Sequence, residues 1–206
     1  HVYIKGGNFA SYTRIDSMLV RNYGETYRAD MVGLKAGSYD MKVVPVSKGK
    51  EIEANANEAT AMTVLNYDRS GFAHLNNKGV GAYDDNGALK SDARVIYVTA
   101  QTAKTVTCDV KTGSKATNVT TCTGLQSIID AYQKGYETRP LDVRFIGLVE
   151  KDDLDAISSS SEGLQIKGKN AYSNLYITLE GIGDDATLRG FGLLVRNAAN
   201  VELRNF

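Results

Sequence analysis

Two groups of aspartates offer the oxygen ligands that a divalent cation needs. Asp152, Asp153 and Asp155 lie in KDDLDAISSSSEG, and Asp184 and Asp185 lie in GIGDDA. Ca²⁺ takes about six to eight oxygen ligands, often from carboxylates. Neither group has the regular spacing of a calcium loop, and Asp beside Ser or Gly is common in turns and helix caps. The sequence favours structural roles for both groups, with calcium binding as the alternative for each.

Three arginines near the C-terminal strands, Arg189, Arg196 and Arg204, could contact an acidic sugar. A guanidinium group forms paired hydrogen bonds with a carboxylate, including that of a uronate. Solvated faces of strands also carry arginine routinely, and this second interpretation is favoured.

Cys108 and Cys122 are the two cysteines of the chain, and they enclose a loop rich in Thr, Lys and Ser. In a reducing compartment two unrelated thiols are the more common outcome, whereas in an exported protein such a pair is a disulfide. A bridge that closes a loop of this size stabilises by about 3 kcal/mol. We therefore expect the disulfide if the chain is exported.

The overall charge is balanced, with 24 Lys and Arg against 24 Asp and Glu. A protein that binds nucleic acid or an anionic membrane through its general field carries a basic excess, so neither partner is expected. No apolar run approaches the roughly 18–20 residues of a membrane span. Twenty Gly and two Pro fit a β protein rich in turns.

Residues 1–66 read as a small antiparallel β domain. LKAGSYDMKV resembles the corner before strand F of fibronectin type III sandwiches, in which the Tyr39 hydroxyl bonds back to the upstream backbone. An ordinary cross-strand tyrosine is the alternative. Only four convincing strands fit before residue 66, so we expect the first strands of the domain upstream of His1. With only scattered tyrosines such as Tyr12, Tyr23 and Tyr27, the domain is expected to be a spacer.

TGLQSIIDAYQKG, residues 123–135, is the one clear helix. Thr123 is placed to cap its N-terminus, and Gln126 stands three residues on, which is the capping-box spacing. The apolar residues repeat at helical intervals. We expect this helix to cover the open end of a stack of strands.

The C-terminal residues 173–206 read as three short strands with alternating apolar and polar residues. Asn174 and Asn200 each precede a strand, 26 positions apart, and Asn tolerates the left-handed backbone of a sharp corner. Repeated corners at this spacing indicate stacked turns of a solenoid. The predicted fold is all-β: a right-handed parallel β-helix, begun by a capping helix and preceded by a β-sandwich-like domain.

The same segments resemble the pectate lyases, which are parallel β-helix polysaccharide lyases. LYITLEGIGDDATLRGFGLLVRNAANVELRNF, residues 175–206, is similar to the opening coils of that family. Further pieces follow the family's order upstream, namely GVGA (79–82), VIYVT (95–99), LQSIIDAY (125–132) and PLDVRFIG (140–147). The resemblance covers residues 67–206, which we take as the second domain, the N-terminal part of such an enzyme.

The resemblance implies a secreted or cell-surface bacterial enzyme that cleaves homogalacturonan by calcium-assisted β-elimination. No counterpart of the family's calcium-binding aspartates or of its proton-abstracting arginine is found here, so these are expected beyond Phe206. Residues 1–206 alone are expected to be inactive, with polygalacturonate and the remainder of the polypeptide, as a second fragment, as partners.

Three alternatives share the expected fold. A non-catalytic β-helix adhesin or carbohydrate-binding protein dispenses with the catalytic groups. A pectin lyase acts on methylated substrate without calcium. A β-helix hydrolase needs paired carboxylates that face one groove.

Overall fold

The computed structural model describes residues 1–68, 74–157 and 163–206. These residues form two compact units. The first consists of His1–Lys78 and Tyr83–Leu89, and the second of Gly79–Ala82 and Lys90–Phe206. The first unit therefore extends beyond the expected boundary at residue 66. The chain enters the second unit at Gly79–Ala82, returns to the first for Tyr83–Leu89, and belongs to the second from Lys90 onward.

The first unit is built on one antiparallel sheet of four strands in the order β2-β1-β5-β8. Its strands are β1 Val2–Gly6, β2 Phe9–Arg14, β3 Val20–Asn22, β4 Tyr27–Ala29, β5 Gly37–Val43, β6 Val46–Ser47, β7 Lys50–Glu51 and β8 Asn57–Val64. Short 3-10 turns lie at Ser17–Leu19 and Glu53–Asn55.

The described part of this unit has one four-stranded sheet and not the two packed sheets of the expected sandwich. The pairs β3–β4 and β6–β7 form separate two-stranded hairpins instead. Because the first strands of that domain were expected upstream of His1, the resemblance to fibronectin type III stays a prediction. The sequence RADMVGL, residues 28–34, reads as one strand, but β4 stops at Ala29. Asp30 there forms ion pairs with Arg21 and Arg28, and Gly33 has a left-handed φ of 78°, so the extended backbone does not continue.

The second unit contains the longer strands and the helix. Its elements are β9 Arg94–Val98, β10 Thr107–Lys111, β11 Val119–Thr123, α1 Leu125–Gln133, β12 Leu141–Glu150, β13 Leu164–Lys167, β14 Ser173–Arg189, β15 Leu193–Arg196 and β16 Ala198–Arg204. The order β16-β14-β12-β9 makes a parallel sheet, β13 and β15 pair in parallel, and β10 and β11 form an antiparallel hairpin.

The expected right-handed parallel β-helix is wrong, because the described strands form separate small sheets that do not close into a solenoid. One physical reason is the segment GIGDDA, which was expected to be a turn. The strand β14 is 17 residues long and runs through this segment. Gly183 has a φ of 80° there, and the pairing of β14 with β12 shifts register between Ile146 and Leu148. The chain therefore continues as a strand where a coil needs a sharp corner.

The helix α1 packs one face against the core of the second unit and leaves Ser127 and Asp130 exposed. Because the sheets do not close into a solenoid, the expectation that α1 is a lid on stacked coils is wrong. Its apolar face, Leu125, Ile128, Ile129 and Tyr132, is buried in the same cluster as the inward residues of β12. The helix is nine residues long. Among the described residues, none of the helices combines the length and the apolar character that crossing a bilayer requires.

The strand β12 shows how the parallel sheet separates two environments. Leu141, Val143 and Phe145 point into the apolar core and are fully buried. Since successive side chains of a strand point to opposite faces, Asp142 and Arg144 lie on the other face of the sheet. This second face carries the candidate site.

Candidate functional site

Charged side chains form two rows across the outer face of the parallel sheet. Parallel strands in register bring equivalent residues side by side, so the charges of β12, β14 and β16 meet. One row contains Asp142, Thr178 and Glu202, and the next contains Tyr97, Arg144, Glu180 and Arg204. We call these seven residues the charged ladder.

Arg144 lies at the centre of the ladder, and its side chain is 5% exposed. Its Nε donates to Asp142 Oδ2 at 2.8 Å and lies 3.3 Å from Glu180 Oε1. Its Nη1 donates to the hydroxyl of Tyr97 at 3.1 Å. Arg204 then binds the other oxygen of Glu180, with Nε at 2.8 Å and Nη2 at 2.6 Å from Oε2. Glu180 therefore bridges two guanidinium groups.

The row that contains Glu202 is covered by the short segment Gly81 and Ala82 of the same unit. Thr178 Oγ1 donates to Glu202 Oε2 at 3.2 Å and accepts the backbone N–H of Ala82 at 2.8 Å. Gly81 has a φ of 67°, and a Cβ there would lie 2.2 Å from Thr178 Oγ1. Only glycine allows so close an approach, and the segment keeps water from this row.

The charged ladder does not fit a calcium ion. Its three carboxylates, Asp142, Glu180 and Glu202, are held by guanidinium groups or by Thr178. Within the described ranges, no three His, Cys, Asp or Glu side chains are arranged to hold a metal. The ladder is therefore an interlocked ionic network that fixes the outer face of the sheet, and we derive no metal-dependent step from it.

The three arginines that were expected near an acidic sugar are not brought together as one site. Arg204 belongs to the ladder, with 22% of its side chain exposed. Arg189 is 63% exposed and forms an ion pair with Glu150 at 2.8 Å. Arg196 ends β15 and is exposed. Of the three arginines, Arg204 alone belongs to the charged ladder.

Asp155 caps the helix α1 from a distant part of the chain. Its Oδ1 accepts the backbone N–H of Gln126 at 2.8 Å, and its Oδ2 accepts the N–H and hydroxyl of Ser127 at 3.0 and 2.8 Å. The capping box predicted from Thr123 is wrong, because Thr123 ends β11 and the N-cap is Gly124, which has no side chain to offer. At φ 91° a Cβ on Gly124 would lie 2.4 Å from Asp155 Cγ, so the carboxylate takes that space.

Gln126 holds the helix to the strand β13 instead of capping its own helix. Its Oε1 accepts the backbone N–H of Gln165 at 2.8 Å, and its Nε2 donates to the Gln165 carbonyl at 3.0 Å. The side chain is buried. The spacing between Thr123 and Gln126 is that of a capping box, so the local sequence does not indicate the contact of Gln126 with Gln165.

The remaining aspartates of the two acidic groups are structural or exposed. Asp153 Oδ2 accepts the N–H of Glu150 at 2.8 Å and so begins the 3-10 turn Lys151–Asp153. Asp152 is exposed in that turn. Asp184 and Asp185 are exposed within β14, where a turn was expected.

Asn174 and Asn200 lie in neighbouring strands, and Asn200 Nδ2 donates to Asn174 Oδ1 at 2.7 Å. Asn200 has the left-handed backbone expected of it, with φ 58°. Asn174 does not. The non-glycine residue of β14 with a left-handed backbone is Tyr176, at φ 54°, two positions further on. The two asparagines of the sequence repeat therefore lie beside each other in neighbouring strands, but they do not share the same backbone conformation.

Tyr39 is buried in the first unit, and its hydroxyl donates to the carbonyl of Lys35 at 2.8 Å. This is the upstream bond that the sequence led us to expect. The hydroxyl also lies 3.0 Å from Asn8 Oδ1. Gly7 packs against it at φ 54°, and a Cβ there would lie 2.0 Å from the hydroxyl oxygen.

Cys108 and Cys122 are directly opposite each other in the β10–β11 hairpin, and both are free thiols. Burial raises the pKa of each thiol. Opposite residues of an antiparallel pair have Cα atoms about 4.5–5.5 Å apart, which a disulfide can span. The expected disulfide therefore stays a prediction for oxidising conditions.

Comparison with models of protein families, with curated proteins and with solved structures found no match to this chain.

Proposed function

We propose that the chain is the N-terminal portion of a secreted pectate lyase that cleaves homogalacturonan by β-elimination. The observation that carries the proposal is the resemblance of residues 67–206 to the opening part of that family. It is supported by the sheet order, since the resembling segments around β9, β12, β14 and β16 are neighbours in one parallel sheet.

The chemistry needs a base and a source of positive charge. The proton beside a uronate carboxylate becomes removable when the developing negative charge is neutralised, and calcium supplies that neutralisation when it is bound. In this chain Arg144 and Arg204 are committed to buried carboxylates, so we assign them to holding the sheet. Proton abstraction and calcium binding are assigned to residues beyond Phe206.

The test compares residues 1–206 with a longer polypeptide extended past Phe206 along its gene. Each is incubated with polygalacturonate and calcium, and the unsaturated product is followed by its ultraviolet absorbance. We expect product from the longer polypeptide only, and its loss when a chelator removes calcium. Residues 1–206 are expected to give none.

Three results would overturn the proposal. The first is unsaturated product from residues 1–206 alone. The second is cleavage by the longer polypeptide that yields reducing ends without unsaturated product, which indicates a hydrolase. The third is calcium-independent action on methylated pectin, which indicates a pectin lyase.

A further inference from the structure

A hollow at the C-terminal end of α1 carries two lysine side chains. It has a volume of about 430 Å³ and is lined by Asp130, Gln133, Lys134, Tyr136 and Lys169. This volume lies within the range of the sites that take small molecules in proteins. We call these five residues the α1 hollow.

The two lysines reach the α1 hollow from different elements. Lys134 follows the last residue of α1, where the partial negative charge of the helix end favours a cation. Lys169 follows β13, and its Nζ lies 5.5 Å from the centroid of the Tyr136 ring. This is a cation–π distance, so the ring holds the ammonium group in place.

The charge of the α1 hollow and its surroundings is positive. Asp130 is the one carboxylate among the described residues that line it, and it keeps its charge while it accepts a glutamine amide at 2.8 Å. Lys134 and Lys169 outnumber it. Lys167 ends β13 beside the hollow, and the parallel register places Arg196 of β15 next to it. None of the four cations forms an ion pair with a residue that the structure describes. Four positive charges thus stand against one negative charge.

Tyr172 presents an open ring beside this charge. It is 85% exposed, and no cation of the described residues lies over its ring. Tyr172 is three positions from Lys169, which limits the distance between their Cα atoms to about 11 Å. An oligosaccharide of several residues can therefore contact both side chains.

Tyr172 holds its exposed position against a backbone preference. It is the third residue of the turn 170–173, in which the N–H of Ser173 donates to the carbonyl of Asn170 at 3.2 Å. Its φ is 60°, a value for which Gly or Asn is usual at this position of a turn. A bulky side chain is strained there, and such strain is frequent at functional sites. Because the ring is exposed, its burial does not offset the strain, and packing does not account for a tyrosine at this position.

We propose that the α1 hollow and Tyr172 bind an acidic polysaccharide. Lys134 and Lys169 bind a carboxylate of one sugar, and the Tyr172 ring stacks on the C–H face of a neighbouring pyranose through its negative π surface. The choice of a polyuronate rests on the proposed function, whereas the arrangement of the cations and the open ring is independent of it. The second unit then holds the substrate chain at α1, in addition to the residues beyond Phe206 to which catalysis is assigned.

The experiment measures binding of oligogalacturonates of defined length to residues 1–206 by titration calorimetry. The double variant with Lys134→Ala and Lys169→Ala is expected to weaken binding at least about tenfold and to reduce its dependence on salt. The matched control is the double variant with Lys104→Ala and Lys115→Ala, because both lysines are exposed elsewhere in the second unit. It lowers the net charge by the same amount and is expected to bind as the unchanged chain does.

Tyr172→Asn separates the ring from the turn. Asn tolerates the left-handed backbone, so this variant is expected to melt at the temperature of the unchanged chain or higher, and to bind at least about threefold more weakly. Tyr172→Phe keeps the ring and is expected to retain most of the affinity. The control is Tyr27→Ala, which removes a ring that is 73% exposed on the β3–β4 hairpin of the first unit.

Thermal melting of each variant verifies that it is folded. If the variant without Lys134 and Lys169 does not fold, Tyr172→Asn decides the question. No binding by the unchanged chain would overturn the inference. Equal affinities of the unchanged chain and the Lys134 and Lys169 double variant would overturn it too, as would an equal loss of affinity in the lysine control.

Two further results would overturn parts of the inference. Fully methyl-esterified oligogalacturonates that bind as tightly as the acidic ones would exclude recognition of the carboxylate, and unchanged affinity in Tyr172→Asn would exclude stacking on the ring. The readout is binding by residues 1–206, while the lyase proposal is tested by product from the longer polypeptide. Failure of one measurement therefore leaves the other intact.

Discussion

The carboxylate of Asp155 accepts the backbone N–H of Gln126 at 2.8 Å, across 29 positions of the chain. The same carboxylate accepts the N–H of Ser127. The first N–H groups of a helix have no partner within the helix, and a negative charge beside them is favourable because of the helix dipole. A residue outside the helix thus performs the work of an N-cap.

Replacing Asp155 with Ala is expected to lower the free energy of unfolding by about 1–2 kcal/mol, the usual cost of losing a helix cap. Urea denaturation followed by circular dichroism measures it. Asp152→Ala is the matched control, because Asp152 is exposed in the neighbouring turn, and a change within about 0.5 kcal/mol is expected there. Equal effects of the two substitutions would show that the contact with α1 contributes nothing.

Local patterns in the sequence predict the elements, and contacts between distant residues decide their assembly. The spacing of Leu125, Ile128 and Tyr132 predicts α1, and alternation in PLDVRFIGLVE predicts β12. The continuation of β14 through Gly183 is not visible locally, because a glycine followed by two aspartates reads as a turn. For that reason the strands were predicted correctly, whereas the prediction that they close into a solenoid was wrong.

The candidate site was missed for a similar reason. Thr178 and Glu180 alternate with apolar residues, so they read as the solvent face of a strand. Thr178 is buried because Gly81 and Ala82, almost a hundred positions upstream, lie over its row. Glu180 is buried between the guanidinium groups of Arg144 and Arg204. Only Arg204 was singled out from the sequence, and its partner Glu180 became evident only from the parallel register.

Arg144→Ala is expected to be strongly destabilising, by about 3–5 kcal/mol, because it leaves Asp142 buried without its guanidinium partner and removes one of the two guanidinium partners of Glu180. Thermal and urea unfolding measure the loss. The matched control is Arg189→Ala, which removes an exposed ion pair with Glu150. A cost of about 0–1 kcal/mol is expected for the control. Comparable costs for both arginines would contradict the assigned role of the charged ladder.

Glu137 is expected to make the stability of the second unit depend on pH in the acid range. Burial raises the pKa of Glu137, but hydrogen bonds from Arg139 and from the backbone N–H groups of Lys111 and Arg139 outweigh it and lower the pKa to about 2. The ordinary value is 4.5. Stability from this group is therefore fully present above pH 4.5 and is lost as the pH falls toward about 2.

Glu137→Gln measures that contribution. At neutral pH the substitution is expected to cost on the order of 2 kcal/mol, and the difference from the unchanged chain is expected to shrink as the pH is lowered through the acid range. Urea unfolding at a series of pH values follows it. Glu25→Gln, at an exposed position of the first unit, is the control. A difference for Glu137→Gln that stays constant with pH would rule out the titration of Glu137 as its cause.

Tyr132 and Tyr39 are both buried tyrosines, and they are expected to respond oppositely to loss of their hydroxyl groups. The Tyr132 hydroxyl is buried and has no hydrogen-bond partner among the residues that the structure describes, and burial raises the pKa of Tyr132. Tyr132→Phe is therefore expected to leave stability unchanged or to raise it by about 1 kcal/mol, because the polar atom no longer has to be desolvated. Tyr39→Phe removes the bond to Lys35 and is expected to cost about 1 kcal/mol. Calorimetric melting of the two variants measures both changes in stability. If Tyr132→Phe loses as much stability as Tyr39→Phe does, the Tyr132 hydroxyl has a hydrogen-bond partner in solution.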